Sequence, residues 1–123
     1  RYTDYALLEE VLPKLQAIAA KQYVPDTKTV LKTVTEFQSM DEVPGTAALL
    51  QLVQEAAAEC NLPQPTAKAV GGGSDSAYAT VAGVPTICAL GVQGVRNHTA
   101  EEFAVVDTLF SRCKLFATIM LNI

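Results

Sequence analysis

The chain carries a single histidine, His98, inside the glycine-spaced segment GVQGVRNHTAEEFAVVD, with Glu102 four residues further on. An imidazole in such a loop suits metal ligation or proton transfer, and loops at the carboxyl ends of strands are where open α/β sheets bind ligands. One histidine does not make a metal site, which needs three or four protein ligands. Glu101, Asp75 and Asp107 offer further carboxylates, yet Asp75 and Asp107 stand equally well as helix caps. By itself, His98 reads either as a ligand or as plain surface.

The second chemical feature is GGGSD, residues 71–75, set between a short apolar run and a helical pattern. Bare backbone leading into a helix presents free N–H groups and the positive end of the helix dipole to an anion. The alternative is a tight turn that needs glycine for positive φ and close packing. No Lys-Ser/Thr follows the glycines, and they do not fit G-x-G-x-x-G, so a carboxylate suits the turn better than a phosphate.

The elements that must hold these residues follow from periodicity. Residues 1–3 read as the end of a strand, and Asp4 as the N-cap of a helix carrying Leu8, Val11, Leu12, Leu15, Ile18 and Ala19 on one face, with Pro13 as a local defect. The β-branched run TKTVLKTVTEF predicts a strand. The polar stretch 38–46 then marks a boundary. Beyond it, Leu49, Leu52, Val53, Ala56, Ala57 and Cys60 predict a helix ended by NLPQP. A strand over 66–70, a helix over 76–81 capped by Gly83, a strand over 86–90 and a last helix begun by Asp107 complete the pattern. The last helix is expected to bury Leu109, Cys113, Phe116, Ala117 and Met120. Alternating helix and strand imply a parallel or mixed sheet covered on both faces.

Composition narrows the partners. The chain has 123 residues, half of them hydrophobic, and a formal net charge of −4. Its nine Lys and Arg residues form no basic stripe, which argues against nucleic acid. No apolar run reaches the roughly 18–20 residues of a membrane span, and no signal pattern opens the chain. Cys60, Cys88 and Cys113 are odd in number and set in apolar sequence, so buried free thiols and a reducing, cytoplasmic setting are expected.

Read together, GGGSDSAYATVAGVPTICALGVQGVRNHTAEEFAVVDTLFSRCKLF resembles the C-terminal part of the di-zinc metallopeptidase and aminoacylase family that includes glutamate carboxypeptidase, peptidase T, acetylornithine deacetylase and succinyl-diaminopimelate desuccinylase. Such proteins carry a GG(G/T)(S/T)D turn, an apolar helix, an A-G-x-P strand start, a glycine-bearing loop and H-(T/S)-x-x-E before a closing helix. All of these occur here in order. The resemblance implies an α/β fold, with residues 1–42 as the C-terminal half of a smaller α+β lid or dimerisation domain. Residues 43–123 would then be the C-terminal part of an α/β/α zinc-exopeptidase-like catalytic domain.

The resemblance also assigns roles. His98 matches the last zinc ligand, Glu102 matches an acidic residue supporting that loop, and Gly72, Gly73 and Ser74 match a turn that lines the substrate pocket. It implies hydrolysis of a peptide or N-acyl amino-acid amide by a metal-activated water, two zinc ions (with cobalt or manganese as alternatives), and a homodimer or oligomer. The remaining metal ligands and the general base lie upstream in such enzymes and are not in this sequence. The chain is therefore expected to be an inactive C-terminal portion that does not hold both metals. No arginine occurs in FQSMDEVP, where many relatives carry one, so carboxypeptidase, aminopeptidase and deacylase stay open. A non-catalytic dimerisation module and a small anion-binding α/β protein remain the alternative readings.

Overall fold

The computed structural model describes residues 2, 4 and 6–123, so most of the strand expected over residues 1–3 lies outside the described residues. In chain order the elements are α1 (Ala6–Ala19), α2 (Thr46–Glu59), α3 (Ser76–Val81), β1 (Gly94–Val95), β2 (Phe103–Ala104) and α4 (Asp107–Leu121). They fall into two units, Arg1–Glu42 with Gly71–Val84, and Val43–Val70 with Pro85–Ile123. No helix among the described residues is long and apolar enough to cross a membrane.

In the first unit, Asp4 starts α1 as expected: its Oδ1 accepts the Ala6 N–H at 2.9 Å and its carbonyl accepts that of Leu7 at 3.1 Å. The helix runs through Pro13 and buries none of its residues. This corrects the expected inward face, since Val11, Leu15 and Ile18 are exposed and Leu8, Leu12 and Ala19 only half-buried. The β-branched run after Thr27 is also corrected. Residues 27–40 form neither helix nor paired strand, and Val30 and Val34 face solvent. β propensity describes the fit of a side chain to a pleated, half-covered surface, and without a neighbouring strand the backbone gains no ladder.

Helix α3 occupies the expected span. Its start is secured by Ser74, whose Oγ accepts the Ser76 N–H at 3.2 Å, whereas Asp75 stands at the N-cap without a side-chain capping bond. Its end is a Schellman turn at Gly83 (φ +80°), with Gly83 N–H on Thr80 O at 2.9 Å and Val84 N–H on Ala79 O at 3.0 Å. The buried Thr80 hydroxyl is satisfied by the Ala77 carbonyl at 2.8 Å.

The second unit holds the core. Helix α2 begins after Gly45, whose φ of +99° no side chain adopts easily, and ends in another Schellman turn. There Asn61 takes φ +57°, its N–H meets Ala58 O at 3.0 Å, and the Leu62 N–H meets Ala57 O at 2.8 Å. Val53, Ala56 and Ala57 of α2 pack with Leu115 and Ile119 of α4 and with Leu90, flanked by Leu52, Leu62 and Ile87. Small side chains at 56 and 57 let α4 approach closely. Cys60 Sγ lies 3.3 Å from Thr118 Oγ1 across the same pair of helices.

Several expectations for this unit are corrected. α4 buries Leu115 and Ile119, while Leu109, Cys113, Phe116, Ala117 and Met120 are exposed. The helix is apolar on more than one side, so periodicity alone offers two faces, and the alanine surface of α2 selects one. Asp107 sits inside the first turn, after Val106 at the N-cap, and favours the helix through its charge at the dipole's positive end. Residues 66–70 and 86–90 form no paired strand, so the described residues hold one antiparallel two-stranded ribbon and no parallel sheet. No disulfide joins Cys60, Cys88 and Cys113, and only Cys60 is buried; Cys88 and Cys113 are exposed.

Candidate functional site

His98 stands at the tip of a hairpin that grows from the start of α4. β1 and β2 pair antiparallel, Gly94 opposite Ala104 and Val95 opposite Phe103, and enclose residues 96–102. Below the ribbon, Gln93 O accepts the Val105 N–H at 2.9 Å, and the Gln93 N–H donates to Thr108 Oγ1 at 3.0 Å. At Gly94 an added Cβ would lie 2.8 Å from Asn97 Oδ1, so the bare backbone lets the Asn97 side chain lie against the ribbon.

The loop is held in an unfavourable main-chain shape. Arg96 (φ +58°) and His98 (φ +66°) are both left-handed, a conformation that costs a non-glycine residue about 1–3 kcal/mol and persists where surrounding bonds enforce it. Those bonds are present. Thr99 donates its hydroxyl to Arg96 O at 2.8 Å and accepts the Glu101 N–H at 3.2 Å, and its own N–H reaches Arg96 O at 3.2 Å. Glu102 folds back so that Oε2 accepts the His98 N–H at 3.0 Å. Arg96 and Glu101 pair across the exposed loop. The result is an exposed imidazole on a main chain braced from three sides.

The glycine turn belongs to the first unit. None of Gly71, Gly72 and Gly73 takes positive φ, which corrects the tight-turn reading; among the described residues the left-handed glycines are Gly45 and Gly83. A Cβ on Gly73 would lie 3.2 Å from the Phe37 ring, so that residue is small for packing. A Cβ on Gly72 would meet nothing within 4 Å, and its backbone is open. Ser74 uses its oxygen on the start of α3.

Among the described residues no three His, Cys, Asp or Glu side chains come together to hold a metal ion. Glu102 Oε2 holds the His98 main chain, and Glu101 pairs with Arg96. The residues present do not make a metal centre by themselves. Sequence reasoning singled out His98 and Glu102 but missed Gln93, Thr99 and Thr108, which carry the hairpin; a threonine beside a helix start was the available signal for Thr108.

A family model described as peptidase family M20/M25/M40 matches residues 14–122, nearly the whole chain. No curated protein and no solved structure matches the chain.

Proposed function

The chain belongs to peptidase family M20/M25/M40, and from that premise we propose that it serves the hydrolysis of an amide bond, in a peptide or an N-acyl amino acid. His98 is then one ligand of a metal centre whose other donors lie outside these 123 residues. The observation that carries the reading is the family match across residues 14–122, which encloses both the glycine turn and the His98 hairpin. Peptidases of this family are generally metal-dependent, and zinc is the metal proposed, with cobalt or manganese as alternatives.

The chain's own contribution is positional. A ligand on a mobile loop would spend binding energy on ordering itself, whereas His98 is already braced by Thr99 and Glu102. Glu102 acts through the His98 main chain, which supports its role behind the ligand. Gly72, Gly73 and Ser74 are proposed to line the substrate side, where the open backbone at Gly72 admits an acyl or carboxylate group.

The test is made in the complete protein that carries this chain. His98→Ala is expected to lower bound metal, measured by elemental analysis, together with amide hydrolysis. Full metal content with normal turnover would remove His98 from the centre.

Residues 1–42 are proposed to form part of a lid that pairs with a second copy. Leu7, Val11, Leu15 and Ile18 follow helical spacing along α1 and are 40% or more exposed, an apolar stripe of the kind that marks contact surfaces. Sedimentation should report a dimer, and Val11→Glu with Leu15→Glu should dissociate it; a monomer at high concentration refutes the pairing.

A further inference from the structure

We infer that Thr108, on the first turn of α4, is the positioning residue that joins the His98 hairpin to the core. The inference rests on the proposed role of His98, but its geometry is independent of any metal. Thr108 Oγ1 makes two bonds. It donates to Val105 O at 2.6 Å, a local bond common where threonine begins a helix, and it accepts the Gln93 N–H at 3.0 Å, fifteen residues away in sequence. Only the second bond crosses to the β1 side of the hairpin.

The bonds form a continuous path. Leu115 and Ile119 fix α4 against Val53, Ala56 and Ala57. Two turns earlier on that helix, Thr108 holds the Gln93 N–H, and the Val105 N–H holds the Gln93 carbonyl at 2.9 Å. Both main-chain groups of Gln93 are therefore tied to the segment that enters α4. From Gln93 the chain passes directly into Gly94 and Val95, which pair with Ala104 and Phe103 and set the span over which residues 96–102 must close. At the tip, the His98 N–H is held by Glu102, which immediately precedes the other strand of the same ribbon.

A two-residue ribbon is too short to be stable alone, so its geometry depends on what ties its base. Without the Thr108 hydroxyl, the Gln93 N–H loses its partner and the base keeps one bond. The hairpin then opens more often, and the left-handed His98 relaxes with it. Ser111 provides the control. Its Oγ donates to Thr108 O at 3.0 Å, a bond local to α4.

The experiment uses the complete protein that carries this chain, isotope-labelled, and reads amide hydrogen exchange together with the imidazole resonances of His98, assigned by their loss in His98→Gln. Thr108→Ala should speed exchange at Gln93 and His98 by roughly tenfold, the effect of losing about one hydrogen bond, and shift the imidazole signals. Thr108→Ser should restore both, and Ser111→Ala should leave both unchanged. The inference is overturned if Thr108→Ala leaves the His98 signals as they were, or if Ser111→Ala moves them equally. It is also overturned if Thr108→Ala unfolds the chain, because a joint acting on the hairpin leaves the α2–α4 core intact. None of these readouts involves metal or activity, so failure of the joint is distinguishable from failure of the hydrolase reading.

Discussion

The sharpest test of the core is Leu115→Ala set against Met120→Ala. Leu115 has no exposed surface and packs with Val53, Ala56, Ala57, Leu90 and Ile119; Met120, five residues on, is 68% exposed. Truncating Leu115 removes three carbon atoms' worth of buried surface, about 2–2.5 kcal/mol at the usual value per buried methylene. A cavity term adds to this. Two of its α2 neighbours, Ala56 and Ala57, are too short to swing into the space, so the total should reach about 3–4 kcal/mol, within the range of leucine truncations in well-packed cores. With the unfolding entropy usual for a domain of this size, that lowers Tm by roughly 10–15 °C. Met120→Ala should cost about 0.5 kcal/mol or less. Thermal and urea unfolding followed by circular dichroism measures both. Equal losses in the two variants, or a larger one for Met120→Ala, would mean that α4 buries its other face and would refute the packing described here.

Two further outcomes follow from local geometry. Gly45→Ala combines a left-handed φ of +99° with a Cβ 2.9 Å from Pro85 Cγ, so it should destabilise by about 1–3 kcal/mol, while Gly72→Ala, with nothing within 4 Å, should stay within about 0.5 kcal/mol in urea unfolding. Alkylation of the folded chain followed by peptide mapping should modify exposed Cys113 quickly and leave Cys60, buried and 3.3 Å from Thr118 Oγ1, intact until unfolding; equal rates would contradict the packing of Cys60.

Much of the helical structure was legible from residues because its signals are local. Asp4 two residues before α1, Gly83 after α3 and the Asn61-Leu62-Pro63 stop after α2 each act within one turn of their own position. The broad family was legible too, not from His98 alone but from the ordered string of the GGGSD turn, the A-G-V-P strand start and H-T-A-E-E, which resembles the peptidase family that the match over residues 14–122 identifies.

What tertiary structure decided depends on partners distant in sequence. Val30 and Val34 carry strand propensity, yet a strand exists only where another offers its backbone, and none pairs with residues 27–40 among those described. The apolar residues of α4 allowed two inward faces, and the choice of Leu115 and Ile119 came from the small side chains of α2, some sixty residues earlier in the sequence. The sequence by itself determined that His98 and Glu102 share a loop. Only the fold determined that Glu102 grips the His98 main chain and that Thr108 ties the loop's base to the core, because those bonds depend on how the hairpin folds back onto α4.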